Sequence, residues 1–162
     1  MKLNITMSLY TVVKSTKLDK KDIMRFYKTQ RYSASYIGQD QCYLVKCDNF
    51  IIASAIVSAG QGNGDFWLLH GLVVDIQQRG KSIASLILQT IIAEVKKSKQ
   101  VKFAQIICFA DHALRPLYQS NQFISYNTSK NLAQLPLEFK QRLLSYREKQ
   151  QSLHCFIYRA NS

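Results

Sequence analysis

Acidic side chains, paired cysteines and long apolar runs are all scarce in this sequence. The chain has 10 Asp and Glu against 22 Lys and Arg, so its net charge at pH 7 is +12. Such an excess favours an acidic partner, whether a polyphosphate cofactor, a nucleic acid or an acidic surface. Hydrophobic residues make up 47% of the chain and charged residues 20%, which argues against disorder. A length of 162 residues suits one domain, 1–162.

The residue types that form disulfides or bind metals show no recognisable cluster. No C-x-x-C pair occurs among Cys42, Cys47, Cys108 and Cys155. We therefore expect reduced thiols in the core of a cytoplasmic protein. No group of His, Cys, Asp and Glu has the spacing of a metal site, so we expect no metal.

Membrane and secretion signals are also missing. No apolar run reaches the roughly 18 residues that a membrane-spanning helix needs. The apolar N-terminal stretch is interrupted by Asn4, Thr6, Ser8 and Thr11. This argues against a signal peptide, and we expect a cytoplasmic protein that has no membrane partner.

Apolar periodicity predicts strands and helices along the whole chain. The predicted strands are 9–13, 41–47, 50–59, 66–74, 101–109, 123–126 and 153–158. The predicted helices are 16–32, a long helix from Ile83 to the lysines at 96–99, a short helix after the fifth strand, and a helical segment within 131–150. The sequence shows no internal repeat and no linker.

Residues 67–88 carry the strongest functional pattern. The apolar strand 66–74 is followed by a polar, basic loop at 75–82 and then by the long helix. The first turn of a helix presents unpaired N–H groups and the positive end of the peptide dipoles. Small residues in the loop let a phosphate approach these groups closely. The pattern therefore predicts an anion site at the start of the helix.

The segment Arg79-Gly-Lys-Ser-Ile-Ala84 resembles the R/Q-x-x-G-x-G/A signature of the GNAT N-acetyltransferases. The end of the preceding strand is similar to their fourth strand. The resemblance implies that the signature binds the pyrophosphate of acetyl-coenzyme A and that the pantetheine arm pairs with the strand. The implied cofactor-binding residues are Leu72, Val73, Val74, Arg79, Gly80, Lys81, Ser82, Ile83 and Ala84. Ser82 stands where the family usually has Gly.

Residues 111–123 resemble the family segment N-x-x-A-x-x-L-Y-x-x-x-G-F. The resemblance implies that Asp111 and Tyr118 contact the cofactor and that Tyr118 protonates the departing thiolate. A phenol with a pKa of about 10 can donate to a thiolate of similar basicity. A tyrosine that merely packs on the strand is the alternative. Asp111 replaces Asn, Gln122 replaces Gly, and Pro116 predicts a helix that begins a residue or two late.

His70 is the candidate general base that takes a proton from the acceptor amine. It precedes Val74 by four residues, so we expect the two side chains on one face of the strand. Its neighbours are Leu69 and Gly71, an unusual setting for an idle polar group. The arylalkylamine branch of the family has a catalytic histidine at this offset. A buried histidine satisfied by a backbone carbonyl is the alternative, and core packing is the favoured role for Cys108.

The order of elements matches the GNAT layout across nearly the whole chain. The resemblance implies an α/β fold with a mixed, mostly antiparallel central sheet that is flanked by helices. The sheet is expected to be splayed between strands four and five. The segment near 133–150 departs from the family and predicts a helical insertion between the last two strands.

The resemblance implies direct transfer of an acetyl group from acetyl-coenzyme A to an amine. Positive charge favours one alternative, an acetyltransferase that acts on aminoacyl-tRNA or another acidic or RNA-linked acceptor. The departures at Ser82, Asp111 and Gln122 favour another, a non-catalytic coenzyme A sensor or regulatory module. Monomer and homodimer both remain open.

We expect the acceptor to bind between two segments that combine aromatic and basic residues. These are residues 27–36 and the predicted helix near 139–147. Their arginines are Arg31, Arg142 and Arg147. A purely structural role for the apolar residues of the second segment is the alternative.

Overall fold

A computed structural model describes residues 9–34, 40–59, 66–97 and 105–160. Its sheet has seven strands: β1 Val12–Lys14, β2 Gln41–Cys47, β3 Phe50–Ala59, β4 Phe66–Val74, β5 Gln105–Asp111, β6 Ile124–Ser125 and β7 Leu153–Arg159. Their spatial order is β1-β2-β3-β4-β5-β7-β6. Neighbouring strands are antiparallel except β4 and β5, which run parallel. The predicted mixed, mostly antiparallel sheet is confirmed.

The helices of the described ranges are α1 Lys20–Thr29, α2 Ile83–Lys97, α3 Arg115–Ser120, α4 Ser129–Ala133 and α5 Leu137–Lys149. Side chains of α2 and α3 share a core cluster with Leu69 of β4 and Cys108 of β5. Side chains of α1 and α5 pack on the other face of the sheet, against Ile56 of β3 and Ile107 of β5. These two faces are called the α2 face and the α1 face below.

Helices α4 and α5 lie between β6 and β7 in the chain, although these two strands pair with each other. The predicted helical insertion is therefore confirmed. Phe139 and Leu143 of α5 are buried on the α1 face. Arg147 donates from Nε to the Leu153 carbonyl (3.0 Å) and from Nη2 to Oδ1 of Asn127 (3.2 Å). These contacts fix the insertion to the start of β7.

Helix α1 is shorter than the predicted helix 16–32. A 3-10 turn capped by Thr16 precedes it. At its end, Arg31 takes a left-handed backbone (φ +56°), and the Tyr32 N–H donates to the Tyr27 carbonyl (2.9 Å). A bond of this kind closes a helix. It also brings the Tyr27 and Tyr32 rings together, with their centroids 5.7 Å apart.

Several other boundaries differ from the prediction, while those of β2, β3 and β4 are confirmed. The first strand is Val12–Lys14 rather than 9–13, and the sixth is Ile124–Ser125 rather than 123–126. Strand β5 extends to Asp111 and β7 to Arg159. Residues 4–8, Tyr36 and residues 98–104, to which some of the predictions refer, lie outside the described residues.

A bulge at Gly71 changes the direction of the side chains in β4. The β3–β4 register shifts here, and Gly71 has a φ of +62°. His70 lies opposite Ile56 of the α1 face, whereas Val74 lies opposite Ala53 of the α2 face. Residues opposite each other share a face of the sheet, so the predicted common face of His70 and Val74 is wrong. The extra residue of the bulge resets the alternation.

Strands β4 and β5 pair over part of their length and then separate. In the described part of the chain, their pairing ends at Leu69 opposite Cys108. Strand β4 continues to Val74, and β5 continues to Asp111 while paired with β7. We call the gap beyond the Leu69–Cys108 pair the split. Its position between strands four and five agrees with the expected splayed sheet.

The four cysteines carry free thiols. Cys42, Cys108 and Cys155 are buried, as expected of core thiols, but Cys47 is exposed because it ends β2 beside the turn to β3. Among the helices of the described ranges, none combines the length and the apolar character that crossing a membrane requires.

Candidate cofactor site and catalytic groups

Hydrogen bonds hold the loop between β4 and α2 at the mouth of the split. The Asp75 N–H donates to the Ile52 carbonyl (2.8 Å), and the Asp75 carboxylate accepts from the Gln77 N–H (2.9 Å). Arg79 donates from Nε to the Val74 carbonyl (3.2 Å). The last bond folds the basic part of the loop back over the end of β4.

The first turn of α2 presents open N–H groups beside this loop. The Leu86 N–H donates to the Ser82 carbonyl (3.1 Å), so the N–H groups of residues 83–85 precede the first bond within the helix. A β-carbon built on Gly80 would meet nothing within 4 Å. The loop is therefore open to a ligand, and the 15-residue helix behind it directs its positive dipole end there. These residues could hold a pyrophosphate.

Two residues take left-handed backbones at the positions where the GNAT motifs have Gly. Ser82 has a φ of +61° and Gln122 a φ of +71°. At the end of α3, the Phe123 N–H donates to the Tyr118 carbonyl (3.0 Å), and the Gln122 N–H to the Gln119 carbonyl (3.2 Å). This helix ending normally uses Gly, because a β-carbon strains the left-handed conformation. Ser82 and Gln122 therefore keep the backbone conformation that suits Gly, and each residue carries strain.

Tyr118 is buried at the start of the split, where 2% of its surface is exposed. Its ring stacks on Phe156, with centroids 5.0 Å apart, and meets the edge of Phe123 at 5.4 Å. Its hydroxyl hydrogen-bonds to the Cys108 thiol, which belongs to the last pair joining β4 and β5. The candidate acid therefore lies on the α2 face, where the two strands separate.

Burial keeps both of these groups protonated. It raises the pKa of the Tyr118 phenol well above the ordinary value, and the neighbouring Cys108 raises it further. Burial also raises the pKa of the Cys108 thiol to about 12, although the hydrogen bond with Tyr118 opposes the change. A thiol with so high a pKa is a poor nucleophile at neutral pH. The phenol keeps its proton under the same conditions.

Asn121 connects the helix of Tyr118 to the first turn of α2. It is 5% exposed, and its Nδ2 donates to Oγ of Ser85 (3.1 Å) and to the Leu117 carbonyl (2.8 Å). The sequence analysis missed this residue. No spacing rule marks an asparagine three residues after a tyrosine, so the contact becomes visible only in the fold.

Asp111 is engaged in local structure. Its Oδ1 accepts from the Ala113 N–H (2.8 Å), and its Oδ2 accepts from Oγ of Ser152 (2.7 Å) and Nε2 of Gln150 (3.2 Å). These bonds, the one from Ser152 above all, lower the pKa of the carboxyl group. As Pro116 predicted, α3 begins later than the residue after Asp111. A carboxylate so occupied is a poor contact for the cofactor. Within the described ranges, no three His, Cys, Asp or Glu side chains are placed to hold a metal ion.

His70 follows the last β4–β5 pair and lies on the α1 face, opposite the side that carries Tyr118. Its Nε2 is 2.8 Å from Oγ of Ser58, a partner that the sequence analysis missed. Burial lowers the pKa of His70, Asp40 raises it, and Arg142 lowers it. The net lowering favours a neutral imidazole at pH 7, which can accept a proton.

Tyr32 follows α1 and lies near the split, with 42% of its surface exposed. Burial raises the pKa of its phenol, and the neighbouring Cys108 raises it further. Hydrogen bonding with the Gly71 backbone lowers the pKa, and Tyr146 raises it. The hydroxyl therefore lies near Gly71 of β4. Tyr146 in turn meets the edge of Phe109, with centroids 6.2 Å apart. Helices α1 and α5, which belong to the two segments between which an acceptor was predicted, both pack on the α1 face.

Comparison with protein-family models finds a match over most of the chain. The model described as the acetyltransferase (GNAT) family matches residues 7–123. A comparison with curated proteins finds no match.

Solved structures of similar fold are numerous. N-acetylglutamate synthase from Neisseria gonorrhoeae, in complex with coenzyme A and N-acetyl-glutamate, is 12% identical with a TM-score of 0.69. That match covers 95% of this chain but 36% of the synthase. A GNAT-family acetyltransferase from Staphylococcus aureus Mu50 is 13% identical with a TM-score of 0.66, covering 94% of this chain and 99% of the other. The ribosomal-protein-S18-alanine N-acetyltransferase from Escherichia coli is 13% identical with a TM-score of 0.65, covering 95% and 96%.

Replacing the strained residues by glycine should stabilise the protein. We expect Ser82→Gly and Gln122→Gly each to raise the free energy of unfolding by about 1 kcal/mol, because a β-carbon is unfavourable at left-handed φ. The melting temperature should rise by about 2–4 °C for a chain of this size. Differential scanning calorimetry measures both.

Ala93→Gly is the matched control, because Ala93 is exposed within α2. Glycine there should lower the free energy of unfolding by about 1 kcal/mol. If both glycine variants at left-handed positions melt at or below the temperature of the unaltered chain, the two positions are not strained.

Proposed function

This chain belongs to the acetyltransferase (GNAT) family, and from that premise we propose that it transfers an acetyl group from acetyl-coenzyme A to an amine. The proposal is supported most by the position of His70 and Tyr118 at the start of the split. His70 is on the α1 face one residue beyond the last β4–β5 pair, and the Tyr118 hydroxyl contacts that pair from the α2 face. A thioester held between the strands would have a candidate base on one side and a candidate acid on the other.

In the proposed binding mode, the cofactor phosphates contact the N–H groups at the start of α2, and the pantetheine arm pairs with β4. Support comes from the open loop at Gly80 and from the edge of β4 at residues 72–74, which lies beyond the pairing with β5. An extended chain can add to such an edge as a further strand does. Both sites are on the path from the loop into the split.

The proposed reaction is a direct displacement. The acceptor amine attacks the thioester carbonyl, a C–N bond forms, and the C–S bond breaks. His70 accepts the proton that the amine loses, and Tyr118 gives a proton to the departing sulfur. The high pKa of Tyr118 opposes this transfer in isolation. Burial of the thiolate in the same apolar cleft would raise its pKa as well, which makes the transfer less costly.

Binding of acetyl-coenzyme A tests the proposed site. Gly80→Glu and Ser82→Glu should each weaken binding by at least about tenfold, because a carboxylate there would repel the phosphates and fill their space. Titration calorimetry measures the dissociation constant, and Ala93→Glu on the exposed side of α2 is the control. Unchanged affinity in both loop variants would place the cofactor elsewhere.

Tyr118→Phe tests the acid. The change keeps the ring packing and removes the hydroxyl, so kcat should fall by about 10²-fold, a usual range for lost proton transfer. Affinity for the cofactor should hardly change. A variant that turns over at the normal rate would leave Tyr118 with a structural role.

His70→Gln tests the base. The neutral imidazole is the active form, so kcat/KM should fall as the pH drops through the pKa of His70. Because burial lowers that pKa, this acidic limb should lie below about 6.5, the ordinary value for histidine. The pH profile of His70→Gln should lack the limb. Its persistence in the variant would assign the proton to another group or to water.

An RNA-linked or otherwise acidic acceptor is the second candidate, and the exposed side of α1 favours it. Exposed basic residues there include Lys17, Lys20, Lys21, Lys28 and Arg31, besides Arg25, which lies near Asp22. This surface flanks the α1 face of the split. A sensor that binds coenzyme A without catalysis is the other alternative, and turnover of acetyl-coenzyme A with a panel of amines distinguishes it from an enzyme.

Arg31 and Arg142 test where an acidic acceptor binds. Changing both to Ala should raise the acceptor KM several-fold, and the effect should shrink at high salt because exposed charges are screened. The sequence analysis placed Arg147 in the same set, but its hydrogen bonds to Leu153 and Asn127 occupy it in the fold. Arg25→Ala on α1 is the control, because Arg25 is 3.7 Å from Asp22. An acceptor KM unmoved by the double change would place the acceptor elsewhere.

A further inference from the structure

A buried tyrosine of α1 is bonded to the bulge of β4. Tyr27 is 1% exposed, and its hydroxyl donates to the Gly71 carbonyl at 2.6 Å. The same hydroxyl is 2.9 Å from Oγ of Ser54, a fully buried serine of β3. Tyr27 therefore joins α1 to β4 at the bulge and to the neighbouring strand β3.

The direction of these bonds follows from their chemistry. A carbonyl can only accept, so the single phenolic proton goes to Gly71 and the Ser54 hydroxyl donates to the Tyr27 oxygen. Burial raises the pKa of Tyr27 above its ordinary value, which keeps the phenol protonated. The chain of bonds thus runs from Ser54 through Tyr27 to Gly71 in one fixed direction.

The packing around Gly71 leaves little freedom for this contact to move. A β-carbon on Gly71 would come within 3.0 Å of the Tyr27 hydroxyl and 3.3 Å of Cδ1 of Ile56. The left-handed φ of +62° also suits glycine. A buried carbonyl that loses its donor is costly, so without the hydroxyl the bulge would tend to rearrange until the carbonyl found another partner.

We propose that Tyr27 is a positioning residue for the cofactor, because its hydroxyl fixes the bulge that sets where β4 leaves β5. The inference rests on the proposed function, in which the pantetheine arm pairs with β4 just beyond this bulge. A movement of the bulge would displace the N–H and C=O groups of residues 72–74 that form the free edge. Tyr27 acts on the cofactor through β4.

The test compares Tyr27→Phe with the unaltered chain. Phenylalanine keeps the ring but removes the donor to Gly71, so the dissociation constant of acetyl-coenzyme A should rise by about 5- to 10-fold, the factor of one ordinary hydrogen bond. The KM for acetyl-coenzyme A should rise with it, while kcat at saturating cofactor stays within about twofold. Tyr43→Phe, which alters another buried tyrosine of the sheet, should leave both quantities unchanged. A tyrosine with a merely structural role would lower the melting temperature without changing the affinity.

Two further variants cover the case in which Tyr27→Phe is too unstable to purify. Gly71→Ala displaces the hydroxyl from the other side and should also weaken binding by at least about fivefold. Ser54→Ala removes the donor to Tyr27 but leaves the bond to Gly71, so its effect should be smaller. Failure of the unaltered chain to bind acetyl-coenzyme A would overturn the proposed function and this inference with it. If the unaltered chain binds acetyl-coenzyme A normally and Tyr27→Phe binds it with the same affinity, the inference alone is overturned. Where Tyr27→Phe cannot be purified, unchanged affinity in Gly71→Ala has the same consequence.

Discussion

The structure depends on how β4 is paired. This strand hydrogen-bonds to β3 along one edge and leaves part of its other edge open. Its parallel pairing with β5 ends at Leu69 opposite Cys108, while its antiparallel pairing with β3 continues past the bulge to Val74 opposite Ala53. Backbone groups on an open edge need partners from outside the sheet. The split therefore leaves N–H and C=O groups to which an extended chain with amide groups can add as a further strand, and this is the edge where the pantetheine arm is proposed to pair.

The bulge at Gly71 also determines which side chains of β4 lie on each face of the sheet. Without the extra residue, His70, Leu72 and Val74 would all point to the α1 face by simple alternation. With it, His70 stays on the α1 face beside Ser58, whereas Leu72 and Val74 turn to the core of the α2 face. The proposed acid lies on the α2 face as well. One inserted residue thus places the proposed base and the proposed acid on opposite faces, and the Tyr27 hydroxyl bonds to the bulge from α1.

Much of the architecture follows from patterns in the sequence, but the details that shape the site do not. Long apolar segments fix β2, β3 and β4 to the residue, because their pattern is strong and turn residues bound them. The bulge had one sequence signal, an isolated glycine inside a strand, and the expectation that His70 and Val74 share a face overlooked it. Backbone angles at Ser82 and Gln122 could not be read from residue type, since both residues usually avoid positive φ. Arg147 resembles a solvated charge in the sequence, yet its long side chain folds back to partly buried acceptors.

The positive charge of the chain takes two physical forms, and they imply different kinds of recognition. At the loop before α2, the charges of Arg79 and Lys81 are joined by fixed N–H dipoles, which act over short distances and demand a close fit. Along α1, the charge is carried by mobile side chains in solvent, whose field is screened beyond about 10 Å at moderate salt. Asp19 pairs with Lys46, and the exposed Asp22 lies 3.7 Å from Arg25, so the acidic residues of this surface have cationic neighbours; an exposed pair such as the second contributes little to stability. The exposed lysines of α1 give that side of the split a positive surface, which would attract the acidic acceptor proposed as the second candidate without determining which acceptor reacts.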